Sequence, residues 1–205
     1  MYNRGGVPVE HSIITISRQY GSGGRLIGAK LAERLHVPFY DKELITRAAK
    51  SSPIHANLFE NAEIRGTGGF VHPFDPGVPF DLPLNDKVFL AQFAVIREIA
   101  SQGPCVIVGR CADDVLKDRD DLLKVFIFSD MEVRKKRAVS EYGDAPEKIE
   151  QKITALDKKR ANYYHHYTQA KWGAAENYHL CIDSGCIGIN GAAEVIQAAY
   201  LSKGD

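Results

Sequence analysis

Five short runs of the chain are apolar at almost every position: residues 13–17, 38–41, 105–109, 123–129 and 179–183. Continuous rather than alternating hydrophobicity predicts strands buried on both faces, as in a parallel sheet covered by helices. Between the runs, apolar residues recur at helical spacing: Ile27, Leu31 and Leu35; then Val88, Phe89, Phe93, Ile96 and Ile99; and finally Val195, Ile196 and Ala199. Ser129 with Glu132, and Asp144 with Glu147, read as capping boxes that open two further helices, the second reaching Tyr167. Alternation of this kind predicts an α/β doubly wound fold, with one parallel five-stranded sheet flanked by helices and a single domain over residues 1–205. Residues 51–86 break the pattern. They hold five of the nine prolines and show no period, so they read as an irregular insert, either a functional lid or a plain connector.

Charge narrows the partners. Lys+Arg and Asp+Glu each number 26, for a formal net charge of zero. An anion site must therefore come from local arrangement, and nonspecific nucleic-acid binding loses its usual support. No apolar run nears the ~20 residues of a membrane-spanning helix, and the first residues lack the apolar stretch of a signal peptide. The expectation is a cytoplasmic protein with no membrane or nucleic-acid partner. The four cysteines, Cys105, Cys111, Cys181 and Cys186, do not follow zinc-site spacing, so no metal-ligating set is expected. Cys105 and Cys181 should pack in strands as small hydrophobes.

The strongest local signal is Ser17-Arg-Gln-Tyr-Gly-Ser-Gly-Gly-Arg25, a glycine cluster between a strand and a helix. Glycines let backbone N–H groups converge on a phosphate, and the helix N-terminus adds partial positive charge. Arg18, Gly21, Ser22, Gly23, Gly24 and Arg25 are thus candidate phosphate-binding residues. Two fingerprints compete. Gly21 and Gly23 fit the start of the dinucleotide pattern G-x-G-x-x-G, with Asp41 about 20 residues on, but Leu26 stands at the third glycine. In the mononucleotide P-loop G-x-x-x-x-G-K-[ST], Arg18 takes the first glycine and Gly24 the lysine, and neither Arg25 nor Leu26 supplies the hydroxyl. Arg18, or Arg25 after a one-residue slip, would have to replace the charge. Asp41, Asp113 and Asp183 are candidate acids for a hydrated Mg²⁺.

Four more segments follow in order: Asp41-Lys-Glu-Leu-Ile-Thr-Arg47, Val106-Ile-Val-Gly-Arg110-Cys-Ala-Asp113, Glu132-Val-Arg134-Lys-Lys-Arg137 and Asp157-Lys-Lys-Arg160. As an ordered set they resemble the cytidylate kinase superfamily, most closely its divergent cytidylate kinase-like branch, from residue 13 to the last helix. The resemblance implies a P-loop NTPase-type fold with an acceptor-side insert at 51–86 and a lid at 134–168. It also implies ATP and Mg²⁺ as cofactors, small-molecule nucleotide substrates, and transfer of a γ-phosphate to a nucleoside monophosphate or similar acceptor. Arg47 matches the family's monophosphate-holding arginine, and Gly109-Arg110 matches its G-R-D segment, with Cys111 replacing the aspartate. Arg134, Arg137 and Arg160 are the nearest equivalents of the lid arginines. The implied catalytic set is therefore Arg25, Arg134, Arg137 and Arg160, and the implied acceptor set is Asp41, Arg47, Arg110 and Asp113.

The chemistry agrees with so many arginines. Phosphoryl transfer needs two substrates aligned and their negative charge neutralised, and arginine offers a planar fork for phosphate oxygens. Arg110 ends a buried parallel strand, at the sheet edge where open α/β folds bind ligands. Arg160 falls in helical register with Ile149, Ile153, Leu156 and Tyr164, so it needs a partner, either a phosphate or Asp157. For Arg134 and Arg137, beside Lys135 and Lys136, a solvated helix face is the alternative. The tyrosines and Trp172 between Tyr163 and Tyr178 read as core packing of the lid helix. Three functions stay open: a kinase, a protein that senses a nucleotide without transferring phosphate, and an NAD-linked enzyme.

Overall fold

The computed structural model describes residues 12–51 and 84–202. Five strands form one sheet: β1 (Ile13–Arg18), β2 (Phe39–Tyr40), β3 (Cys105–Val108), β4 (Leu122–Phe128) and β5 (Leu180–Asp183). Their order is β2-β3-β1-β4-β5, and every pairing is parallel. The helices are α1 (Gly24–Leu35), α2 (Lys42–Ser51), α3 (Leu84–Gln102), α4 (Ala112–Val115), α5 (Met131–Ser140), α6 (Ile149–Thr168) and α7 (Ser184–Leu201), with a short 3₁₀ turn at Ala175–Asn177.

Strand pleating divides the apolar runs between two cores. Ile14 and Ile16, with Val106, Val108, Val125 and Ile127, pack under Ile27 and Leu31 of α1 and Ala192, Ala193 and Ile196 of α7. Ile13 and Ile107 face the other way, onto Ala91, Val95, Ile96 and Ile99 of α3 and Ala112 and Val115 of α4. A third, smaller cluster joins Ala138 of α5 to Ile149 and Ile153 of α6. Continuous hydrophobicity is what a sheet covered on both faces requires. From β1 the chain crosses to edge strand β2, whereas from β3 it crosses over β1 to β4. The connections thus leave neighbours β1 and β3 in opposite directions, which opens a crevice at their carboxyl ends.

Several local expectations change. Asp130, not Ser129, caps α5, accepting the Val133 N–H at 3.0 Å. Asp144 caps nothing, because its carboxylate takes the Tyr20 hydroxyl (2.7 Å) and Lys152 (2.6 Å). α6 begins instead at Ile149, after a left-handed Lys148. All four cysteines are free thiols, and Cys181 is exposed on edge strand β5 while Cys105 is buried. Of the insert, Ser51 closes α2 and residues 84–86 open α3; residues 52–83 lie outside the described residues. No helix among the described residues is long and apolar enough to cross a membrane.

Leu31 is fully buried under the sheet, whereas Leu90 is 45% exposed. Leu31→Ala should lower unfolding free energy by about 2–5 kcal/mol, and Leu90→Ala by no more than about 0.5 kcal/mol. Urea titrations of the two variants give the comparison; equal losses would contradict the assignment of the core.

Candidate functional site

β1 runs out at Arg18 into the glycine turn. Gly21 (φ 79°) and Gly23 (φ 81°) are left-handed, a conformation glycine adopts without steric cost. A Cβ on Gly21 would also lie 2.6 Å from the Arg134 carbonyl oxygen. Ser22 is buried; its Oγ donates to the Gln19 carbonyl (2.9 Å), and its carbonyl accepts from Ser184 Oγ (2.5 Å). Two helices hold the turn from outside. Arg134 Nε donates to the Tyr20 carbonyl (2.7 Å), and the same guanidinium pairs with Asp157. Asp157 Oδ1 in turn accepts the Tyr20 N–H (2.7 Å). Arg137 Nη1 donates to the Gly21 carbonyl (2.8 Å). Both arginines are buried, so neither belongs to a solvated helix face. Their guanidiniums brace the turn's carbonyls.

β3 ends in a left-handed turn of three residues, Gly109 (φ 85°), Arg110 (φ 59°) and Cys111 (φ 53°), closed by the Ala112 N–H on the Gly109 carbonyl (3.2 Å). A left-handed non-glycine residue costs about 1–2 kcal/mol, and such strain concentrates at functional sites. Here the turn sends Cys111 back into the core and Arg110 into a cavity of about 230 Å³. Five cations line that cavity, namely Arg18, Lys42, Arg110, Lys159 and Arg160, with Tyr163 and Trp172 as aromatic wall and no Asp or Glu. Arg110 lies over the Tyr163 ring at 5.5 Å, and its Nε is buried with no hydrogen-bond partner among the described residues. Arg160 donates to the Arg18 carbonyl (2.9 Å) and stands 4.0 Å from Asp157.

The cations act on one another. Burial, then the charges of Arg160 and Arg110, pull the Arg18 pKa down to about 9. Arg110 foremost, with burial and Lys159, lowers Lys42, and burial lowers Arg160. Positive charge gathered without a carboxylate in the wall suits a multiply charged anion.

The remaining candidates divide. Arg25 leaves the turn and pairs with Asp41 (2.8 Å). Asp41 also caps α2, accepting the N–H groups of Glu43 (3.0 Å) and Leu44 (3.1 Å). Burial raises its pKa, but those amides and Arg25 outweigh it and hold the carboxyl below its ordinary value. Asp113 is buried beneath the cavity and accepts from the Tyr164 hydroxyl (2.7 Å) and Ser17 Oγ (3.5 Å); burial pushes its pKa up. Asp183 caps α7 through the Gly185 N–H (2.8 Å). Arg47 belongs to α2, with its side chain outside the described residues. Lys42 and Lys159 were not among the expected site residues. Lys158 and Lys159 are adjacent and both exposed on α6, and helical spacing alone does not set that Lys159 is the one at the rim of the cavity.

A model of the cytidylate kinase-like family matches residues 13–185. No curated protein matches the chain. Among solved structures, an uncharacterized protein from Eubacterium ventriosum is 28% identical over 93% of this chain and 99% of its own, with a TM-score of 0.73. Shikimate kinase from Acinetobacter baumannii, solved in complex with shikimate, is 18% identical over 95% of this chain and 93% of its own, with a TM-score of 0.53. Shikimate kinase from Bacteroides thetaiotaomicron is 15% identical over 91% of this chain and 96% of its own, at 0.52. The five-stranded parallel sheet with its flanking helices is the fold of these P-loop kinases.

Sulfate keeps its charge from neutrality to alkaline pH, so its affinity reports the cavity. Burial, with the charges of Arg160 and Arg110, pulls the Arg18 pKa down to about 9, so the free cluster is expected to give up positive charge as pH rises through that region, and a bound dianion would hold the charge to higher pH. Affinity is then full below that pH and falls as pH rises through it. Calorimetric titrations from neutrality to about pH 10 check this; a flat profile would mean that no cation of the cluster gives up its charge over that range.

Proposed function

Because the chain belongs to the cytidylate kinase-like family, we propose that it is an ATP-dependent phosphotransferase of the cytoplasm. It moves the γ-phosphate of ATP to a nucleoside monophosphate or a similarly small phosphorylated acceptor. One observation carries the proposal: five cations and no carboxylate line a cavity at the carboxyl ends of β1 and β3. There the strand leading to the glycine turn meets the strand that presents Arg110. Arg18 faces the donor phosphates, Arg110 and Lys42 hold the acceptor phosphate, and Arg160 covers the group between them. Arg134 and Arg137 act one step away, keeping the turn in shape.

The cation cluster fits a triphosphate, which as Mg-ATP supplies the transferable group and neutralises part of its own charge. Asp41, Asp113 and Asp183 are engaged in hydrogen bonds and none of them lines the cavity, so Mg²⁺ would be held through phosphate oxygens and water. A second reading, nucleotide binding without transfer, draws support from the turn. α1 starts at Gly24, so Gly24 and Arg25 take the places of the P-loop lysine and hydroxyl, and Arg25 is turned away onto Asp41.

A transfer screen separates the two. Protein and Mg-ATP are incubated with each nucleoside monophosphate, with small sugar and acid phosphates, and with shikimate, beside an Arg110→Ala control. The expected outcome is one phosphorylated product, lost at least about 10²-fold in the control, with ATP affinity unchanged. ATP binding with no transfer to any acceptor would favour the second reading.

A further inference from the structure

We propose that Arg18 and Gly24 are a reciprocal exchange of the two residues that a P-loop places at its first glycine and its lysine. The end of the strand, rather than the start of the helix, then supplies the cation that faces the donor phosphates. The proposal rests on the phosphotransferase reading and says which residue of the turn carries its charge.

In G-x-x-x-x-G-K-[ST] the first glycine precedes the lysine by six positions, the separation of Arg18 and Gly24. α1 opens at Gly24 with Gly23 as its N-cap, so residue 24 is the first helical residue. A Cβ built there lies 2.5 Å from Arg18 Cβ and 2.8 Å from Arg18 Cγ. The two side chains would begin in one volume, and only one of the two positions can carry a side chain. Gly24 is not left-handed, unlike Gly21 and Gly23. Its glycine answers to space, not to backbone conformation.

Arg18 then passes a second gap. Its Nη1 occupies the place a Cβ on Gly109 would take, and the charges that act on it most are Arg160 and Arg110. Entry from the strand therefore delivers the cation between the glycine turn and the acceptor-side arginine. A planar fork in that position can engage oxygens of two phosphoryl groups at once, which a lysine ammonium cannot do in the same fixed geometry.

Two measurements test the exchange. The first needs no ligand: thermal unfolding of Gly24→Ala, alone and combined with Arg18→Gly. Beside Arg18 the added methyl should lower the Tm; with Arg18→Gly it should leave the Tm unchanged or raise it, since alanine favours a helix. Equal effects in both backgrounds overturn the exclusion. Should Arg18→Gly not fold, an unchanged or raised Tm for Gly24→Ala alone overturns it as well. The second is calorimetric binding of tripolyphosphate and of ATP. Arg18→Gly, and Arg18→Gln, which keeps Cβ and Cγ in place, should each bind about 10–100-fold more weakly. The double variant Arg18→Gly with Gly24→Lys should return to within about tenfold of the starting protein, while Gly24→Lys alone should gain nothing. A double variant no tighter than Arg18→Gly, or an Arg18→Gln protein with undiminished affinity, overturns the role given to Arg18. If the unaltered chain binds neither probe while the unfolding cycle still shows coupling, the phosphotransferase reading fails. The exclusion would then be a packing relation only.

Discussion

Three guanidiniums repel one another at the carboxyl edge of the sheet, and much of the surrounding structure serves to keep them there. Arg18 is threaded past two glycines, Gly24 and Gly109, whose missing side chains leave its path open. Arg110 is aimed by a left-handed turn that two non-glycine residues adopt against their steric preference. Arg160 is tied to the Arg18 carbonyl, so the helix that brings one cation is anchored to the backbone of another. Burial foremost, then the charges of Arg160 and Arg110, depress the Arg18 pKa, and the second part reflects the tension among the cations. An anion would relieve that tension, so the energy of holding the cations together becomes a preference for binding.

The glycine turn is held by a different logic. Its carbonyls point outward to Arg134 and Arg137, and Asp157 closes the network by pairing with Arg134 while accepting the Tyr20 N–H. A partly buried ion pair with both partners further hydrogen-bonded is hard to break, because either partner alone would leave a charge uncompensated. Asp157 lies one helical turn before Arg160 on α6. Displacement of that helix would therefore be felt at both the turn and the cation cluster. The region of 134–168, expected as a lid over the transferring group, is in this arrangement the brace of the glycine turn.

Tyr163 extends the coupling to a third element. It packs edge-on against Phe89 of α3 and Tyr167 of α6, and its ring lies under the Arg110 guanidinium. Phe89 and Tyr167 stack with centroids 3.8 Å apart. The helix that follows residues 52–83 is thus joined through aromatic contacts to Arg110.

The sequence by itself determined the layered fold, the five strands, the glycine turn and the position of Arg110. Each of these depends on local quantities: apolarity of a short run, period of a helix, the conformational freedom of neighbouring glycines, the end of a strand. Tertiary structure decided what each charge does. Arg134 and Arg137 look alike as helix-face or phosphate-binding arginines until the turn's carbonyls are placed within their reach. Arg25 and Asp41 are both plausible ligand contacts until they are seen paired, with Asp41 capping a helix. Lys159 is one of two adjacent lysines until the helix is docked, and Cys181 is an apolar strand residue until its strand proves to be the sheet edge. The loss of lysine at Gly24 reads as damage along the chain. In space Arg18 fills the same volume, a relation between residues six positions apart that only the strand-to-helix turn brings closer than van der Waals contact.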